Sequence, residues 1–302
     1  MNGIILVDKP KGPTSHDVVQ TVRRLAGQRR CGHTGTLDPF ATGLLPLCLG
    51  RATRLARFVS DTAKTYVAVV RFGFATDTYD HTGQPLGPAV DVSLDRGALE
   101  SKLTEFLGDQ DQVPPPFAAK RINGQRMYQL ARAGRPVPAR PVRVVIHAIR
   151  LVEMEGDRVT LEAEVGAGTY IRSLAHDLGN RLGWGAHLVE LRRTRVGPFR
   201  VEQAWTLPKL ESLAREGGME RAVLDPAEAL SNLPALRLGS QAASRVSHGR
   251  AISPSDVEGL VPDVSAGQAC RLLGPQGELL AVGVAAEELS QFRPLVVLAT
   301  PS

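Results

Sequence analysis

Only three cysteines occur in the 302 residues. Cys31, Cys48 and Cys270 are odd in number and widely spaced, so they build no disulfide framework and suit a reducing cytosol. No CxxC pair is present, and Cys31-Gly32-His33 has no second pair to answer it, which argues against a metal site. The chain also has no run of about 18 apolar residues, so no segment reads as a membrane-spanning helix. Its first residues lack a signal-peptide pattern: Gly3 to Val7 reads as an ordinary strand, followed at once by Asp8 and Lys9. Neither GxGxxG nor GxxxxGK[ST] occurs, which removes the sequence case for a bound dinucleotide or ATP. Internal repeats and low-complexity tracts are missing too.

Acidic residues are missing from one long stretch. Between Gln112 and Val152 stand Lys120, Arg121, Arg126, Arg132, Arg135, Arg140, Arg143 and Arg150, without a single Asp or Glu. From Met1 to Phe72 there are 11 Lys or Arg against 4 acids, whereas Leu233 to Ser302 carries 5 Arg and 6 acids. A polyanion is held by positive side chains at its phosphates, so the first two-thirds of the chain is the nucleic-acid candidate. A merely solvated face would intersperse acids. The remaining composition, 43% hydrophobic and 22% charged, is that of an ordinary globular protein of one large or two medium domains.

Periodicity places the elements. Gly3 to Asp8 reads as a strand, and Ser15 is expected to cap a helix whose apolar face is Val18, Val19, Val22 and Leu25. Leu44 to Leu49 reads as a buried strand, Ala52 to Asp61 as a helix, and Tyr66 to Phe72 as a β-rich run. Further helices are expected at Leu94 to Leu107, Gln125 to Ala133 and Ile171 to Leu182, the last closed by Gly183. Arg143 to Glu153 and Arg158 to Val165 should pair around Glu155-Gly156-Asp157, and His187 to Val196 should return as a strand. Strands alternate irregularly with helices, so the class is α+β around a mixed or antiparallel sheet flanked by helices. Near Ala227 to Pro234 the basic excess ends. A boundary there gives a first domain over 1–230, with a basic insertion at about 112–152, and a small β-rich domain over 231–302.

One segment has neither helical nor strand period: Gly32-His33-Thr34-Gly35-Thr36-Leu37-Asp38-Pro39-Phe40-Ala41-Thr42-Gly43. A residue before proline is biased to extended backbone, so Asp38 should project from a loop. Asp-Pro is a common turn starter, and the residues alone leave Asp38 open between a turn and a site.

From Gly32 to Gly50 the sequence GHTGTLDPFATGLLPLCLG resembles the catalytic motif of the TruB family of pseudouridine synthases. Matching stretches follow in order: Gly3 to Pro10, Lys64-Thr65-Tyr66, Thr76-Asp77-Thr78-Tyr79-Asp80, Gly168-Thr169-Tyr170-Ile171-Arg172, and Gly185-Ala186-His187 leading to Leu191-Arg192-Arg193. The resemblance implies a pseudouridine synthase-like fold with a PUA-like C-terminal domain. It also implies isomerisation of one uridine, position 55, in the T-loop of tRNA, with no cofactor and no metal. Asp38 would be the catalytic carboxylate and Arg172 its partner. Tyr66 would stack on the flipped base, Tyr170 and Leu191 would line its pocket, His33 would contact the T-loop, and Lys9 would support the catalytic loop from within the substrate-binding set. If the backbone is extended there, Tyr170 and Arg172 should share one face. The basic segment corresponds to a family insertion that closes over RNA, and here it departs from the pattern: Phe117-Ala118-Ala119-Lys120-Arg121 stands where the family reads Tyr-Ser-Ala-x-Lys.

The cysteines and the lack of a long apolar run point to a cytoplasmic protein off the membrane. No dimer motif appears, and the expectation is a monomer that acts on bare tRNA without an obligate protein partner. Two rivals remain at this level. One is a guide-RNA-dependent synthase of ribosomal RNA, and the other is an RNA-binding or RNA-folding protein of the tRNA elbow.

Overall fold

The computed structural model describes residues 1–117, 121–122, 125–126, 140–287 and 290–299, with side chains except at 121–122 and 125–126. The elements run β1 (Gly3–Lys9), α1 (Ser15–Leu25), β2 (Cys31–His33), β3 (Thr42–Leu49), a 3-10 turn (Gly50–Leu55) leading into α2 (Ala56–Ser60), β4 (Lys64–Phe72), α3 (Arg96–Thr104), β5 (Gly108–Gln112), β6 (Arg121–Ile122) and β7 (Gln125–Arg126). They continue with β8 (Val142–Glu155), β9 (Arg158–Val165), α4 (Ile171–Leu182), β10 (Ala186–Val196), β11 (Phe199–Arg200), β12 (Trp205–Thr206) and α5 (Leu207–Arg215). The C-terminal part adds α6 (Pro226–Ala229), β13 (Ala235–Arg237), α7 (Ser240–Ser247), β14 (Ala269–Leu273), β15 (Leu279–Ala285) and β16 (Phe292–Val297).

A 10-stranded sheet forms the frame, in the order β12-β1-β3-β10-β4-β9-β8-β5, with β2 paired to β3 and β11 to β10. It is mixed: β1 runs parallel to β12 and β10 parallel to β3, while β10–β4, β4–β9, β9–β8 and β8–β5 are antiparallel. The α+β class expected from the sequence therefore holds. Strands β1 and β3 are apolar on both faces because both faces are covered. Ile5 and Val7 of β1 with Leu45, Leu47 and Leu49 of β3 join the core beneath α1, α3 and α4. Their alternates Ile4, Leu6, Leu44 and Cys48 join a second core that includes Leu273, Val282 and Leu298.

That second core ties the small sheet, in the order β13-β14-β15-β16, to the large one. The Arg51 guanidinium donates to the Leu298 carbonyl at 3.0 Å, and Arg271 donates to the carbonyls of Leu233 and Ala227. The change in composition near residue 230 is thus bridged by a continuous apolar layer.

Several local expectations shift. Thr14, not Ser15, is the N-cap of α1: its hydroxyl accepts from the Asp17 N–H while the Asp17 carboxylate accepts from the Thr14 N–H, a reciprocal capping box. Ser15 turns inward instead. The 52–61 helix begins as 3-10 structure, and Gln125–Arg126 pairs as a strand with Arg121–Ile122 rather than opening a helix. Residues 127–133, where the rest of that helix was expected, lie outside the described residues. Arg143 meets Asp109 at 3.4 Å and Asp111 at 3.6 Å, and Arg150 meets Glu162 at 3.0 Å. Part of the acid-free run is therefore balanced by carboxylates from neighbouring strands, which linear charge counting does not register.

Candidate active site

Asp38 sits in the loop between β2 and β3, and that loop is fixed on both sides of it. The Ser15 hydroxyl accepts from the Leu37 N–H at 2.8 Å and donates to the Leu37 carbonyl at 3.0 Å. On the other side, the Lys9 ammonium donates to the carbonyls of Pro39 at 3.2 Å and Ala41 at 2.7 Å, and also to that of Pro10. The Ala41 N–H returns to the Asp38 carbonyl, closing the turn. Where the loop enters β3, Gly43 has φ +101°, and a Cβ there would lie 2.3 Å from the Arg193 carbonyl oxygen. Only glycine fits that close approach.

Arg172 reaches Asp38 from the first turn of α4. Its Nε lies 2.9 Å from Oδ2, and its Nη2 donates to Oδ1 at 3.3 Å, a two-point fork. The remaining donors are also used. Nη1 donates to the Thr78 carbonyl at 3.1 Å and to Asp80 Oδ2 at 3.3 Å, and Nη2 donates to the Phe117 carbonyl at 3.2 Å. A buried cation in a helix's first turn is opposed by both desolvation and the helix dipole. Here two carboxylates offset that cost. The Arg172 side chain is 6% exposed, whereas Asp38 keeps 32% of its side-chain surface. The guanidinium therefore lies beneath the carboxylate, which faces outward.

The carboxylate faces a cavity of about 380 Å³ walled by Tyr66 of β4, Leu191 of β10, Tyr170 at the N-cap of α4, and Thr34 to Leu37 of the Asp38 loop. This volume lies in the range that takes a small ligand, roughly 300–1,000 Å³. The β4–β10 register brings Tyr66 and Leu191 to one wall: Ala68 faces Leu191 across the ladder, so Tyr66 lies two residues along the same face. Tyr170 and Arg172 both reach the cavity, but not by strand alternation. Tyr170 is extended at the cap while Arg172 is already helical. Gln112 fixes the Tyr170 backbone by accepting from its N–H at 2.7 Å and donating to its carbonyl at 3.0 Å.

The electrostatics pull Asp38 both ways. Burial pushes its carboxyl above the ordinary aspartate value, the Arg172 guanidinium draws it down, Asp80 raises it and Lys9 lowers it, with a net upward direction. Burial brings Lys9 down to about 8, and it brings Lys64, which lines the cavity, down to about 8 as well. Tyr170 is raised, chiefly by burial.

The other sequence candidates take up distinct places. Lys9, grouped with the substrate-binding residues, is 0% exposed, and its ammonium is enclosed by three carbonyls. It holds the loop from below and does not line the cavity. His33 stands beside the wall, next to Thr34. Its Nδ1 is buried with no hydrogen-bond partner among the described residues, and burial, with Arg193 and His16, lowers its pKa. Among the described residues no cluster of three or more His, Cys, Asp or Glu could hold a metal ion.

Sequence reasoning left several residues without a role. Arg193, 1% exposed, donates from Nε to the Leu44 carbonyl at 2.7 Å and from Nη2 to the Gly35 carbonyl at 3.1 Å, bracing the cavity floor. Asp80, inside a quoted matching stretch, accepts from the Thr78 hydroxyl and the Thr82 N–H, both at 2.9 Å, and meets Arg172 on its other oxygen. Ser15 was read only as a cap. The signal for Arg193 and Asp80 was their place in the matching stretches; for Ser15 there was none, since its partner Leu37 is 22 positions away.

Comparison with known proteins gives the family of the chain. Residues 23–171 match the family model described as TruB family pseudouridylate synthase (N terminal domain). Residues 172–231 match the one described as tRNA pseudouridylate synthase B C-terminal domain. The chain is 42% identical over 283 residues to a tRNA pseudouridine synthase B of Solibacter usitatus, covering 94% of this chain and 95% of that one. It is 43% identical over 307 residues to the protein of the same name from Thermobifida fusca, covering 99% of each. Among solved structures, the chain is similar to one in an H/ACA RNP bound to a substrate RNA containing 2'-deoxyuridine, with TM-score 0.79, 28% identity, and 99% and 86% coverage of the two chains. A chain in a Cbf5-Nop10-Gar1 complex gives TM-score 0.80 at 29% identity, with 99% and 85% coverage.

Proposed function

The chain belongs to the TruB family of pseudouridine synthases, and from that premise we propose that it isomerises the T-loop uridine of tRNA, position 55, with Asp38 at the glycosidic junction. The observation that supports this most is the Asp38 carboxylate, forked by Arg172 from below and open on its other side to a cavity walled by Tyr66, Tyr170 and Leu191. The reaction breaks the C1′–N1 bond and forms C1′–C5. C5 loses its hydrogen to solvent, N1 regains a proton, and no electron or group is exchanged with a second reactant.

A uridine inside a folded loop must leave its stack to meet the carboxylate. Tyr66 supplies an aromatic face for the displaced base, and such stacking is worth roughly 1–3 kcal/mol. Leu191 and Tyr170 exclude water around it. Arg172 orients the carboxylate and favours its ionised form. His33, beside the cavity wall, is the T-loop contact, and Lys9 keeps the Asp38 loop in place.

The catalytic unit spans 1–230, its basic run at about 112–152 serving RNA binding with 142–152 built into β8, and 231–302 forms the PUA-like unit. On this reading the protein works on tRNA as a monomer, without an obligate protein partner. The three unpaired cysteines support a cytoplasmic location.

Release of tritium from a tRNA transcript labelled at uridine C5 tests the reading directly. Purified protein should release it with no guide RNA, and Asp38→Asn should not. The likeness to H/ACA assemblies favours the guide-dependent reading as second. Release only after a guide RNA is added would replace the proposal with that one, and tight binding without release under either condition would favour an RNA-folding role.

A further inference from the structure

The catalytic reading uses Asp38 and Arg172, and Arg172 leans on Thr78 and Asp80. The segment that presents those two residues has its own unusual feature. Between them, Tyr79 has φ +64° and is the only non-glycine among the described residues with positive φ. A bulky side chain adopts that backbone only where its surroundings over-determine it. Two kinds of contact do so here. The backbone is tied to β10, with the Tyr79 carbonyl accepting from the Leu188 N–H at 3.0 Å and the His81 N–H donating to the Leu188 carbonyl at 2.8 Å. The Tyr79 ring lies flat on His176, with centroids 3.7 Å apart and planes 9° apart.

His176 lies four residues after Arg172 on α4, so the two share a helix face. The Thr78–Asp80 segment thus meets α4 at two consecutive points of one face: ring on ring at His176, and carbonyl plus carboxylate on guanidinium at Arg172. Neither Tyr79 nor His176 lines the cavity. The His176 Nδ1 is buried with no hydrogen-bond partner among the described residues, and burial keeps the imidazole below its ordinary pKa. At neutral pH the ring is therefore uncharged, and it serves as a flat surface.

We propose that the Tyr79–His176 stack is a positioning pair that holds Thr78 and Asp80 against Arg172 and so aims the guanidinium at Asp38. Without the stack, the segment stays bonded to β10 but loosens from α4. Arg172 then loses the two acceptors of Nη1 and the constraint on its fork to Asp38. The inference rests on the assignment of Asp38 made above.

The test is single-turnover isomerisation of a tRNA transcript against pH, with tRNA affinity and thermal midpoint measured on each variant. The charges around Asp38 are Arg172, Asp80 and Lys9, and Arg172 is the chief one lowering its pKa. Tyr79→Ala and His176→Ala should slow isomerisation about tenfold or more with tRNA affinity within about twofold. Their acid limb should also move to higher pH. Tyr79→Phe and His176→Phe keep ring on ring and should retain both rate and limb. His176→Phe also removes any titration of the imidazole itself.

Tyr79→Gly adopts the backbone freely, so it folds even where the alanine variant does not, and it should still be slow. A Tyr79→Gly enzyme as fast as the parent, Phe variants as slow as the Ala variants, or an unmoved acid limb would each overturn the proposal. Asp38→Asn runs alongside. Activity in it would remove the catalytic assignment itself, whereas an inactive Asp38→Asn beside fully active stack variants would remove only the positioning pair.

Discussion

Arg172 holds Asp38 by two nitrogens of one planar group, Nε to Oδ2 at 2.9 Å and Nη2 to Oδ1 at 3.3 Å, while its third nitrogen is taken up by Thr78 and Asp80. The fork fixes the orientation of the carboxylate as well as its charge. A lysine would supply charge without the plane.

Substitution of Arg172 should therefore separate turnover from binding. Arg172→Lys should lower kcat by about tenfold to a hundredfold, and Arg172→Ala by ~10³-fold, the equivalent of ~4 kcal/mol. tRNA affinity should change little, because the guanidinium lies under the carboxylate rather than against the RNA. Rapid-quench turnover with filter-binding affinities checks this, and equal losses in both quantities would contradict the geometry.

The pH profile should carry two limbs. Burial raises the Asp38 pKa, so on lowering the pH the carboxylate takes up its proton earlier than an ordinary aspartate at ~3.9, and kcat should already be falling above that value. On the alkaline side Lys9 loses its charge at about 8, weakening its hold on the Pro10, Pro39 and Ala41 carbonyls. Turnover should decline with a midpoint near 8. Lys64 also titrates at about 8, so persistence of this limb in Lys64→Met assigns it to Lys9. A profile flat from pH 4 to 9 would remove both assignments.

Arg193 should behave as a structural cation. Arg193→Met leaves the Leu44 and Gly35 carbonyls without their donor in a buried floor. The expected cost is about 3–6 kcal/mol, since the two bonds to a charged group contribute about 1.5–3 kcal/mol each. Urea unfolding midpoints measure it. Gly43→Ala, with its Cβ forced onto the Arg193 backbone, should be at least as damaging.

Affinity for tRNA should fall steeply with salt, by about tenfold or more between ~50 and 200 mM, because bound lysines and arginines displace counterions from the phosphates. Arg143 and Arg150, already paired with acids of β5 and β9, should contribute little to that slope. Arg143→Ala should leave the slope unchanged, and titration of fluorescent tRNA at several salt concentrations reads both effects.

Much of the fold lay open in the chain itself. Strand β4 was legible as the β-rich run Tyr66 to Phe72, and it alternates inward and outward as a half-covered strand must. The α4 helix ends at Gly183, as glycine in the left-handed region dictates. The glycine-flanked loop marked Asp38, and the ordered matching stretches marked Arg172, Tyr66, Tyr170 and Leu191. All of these are local signals, readable within a few residues.

Tertiary structure decided what depends on distance in space. Whether Ser15 caps a helix or braces Leu37 turns on a partner 22 residues away, and in the fold Thr14 does the capping. Lys9 could have met substrate or backbone, and only the return of the Asp38 loop over β1 encloses its ammonium. The charge of Arg143 looked unopposed along the chain until β5 placed Asp109 and Asp111 beside it. The stack of Tyr79 on His176 has no sequence signature, since rings 97 positions apart meet only when the sheet is assembled. Propensity and pattern act between neighbours along the chain, whereas a buried charge or a strained residue is stabilised by whatever group the fold brings to it. The sequence thus determined which groups were available for the chemistry, and packing determined which of them are held, which are exposed and which do the holding.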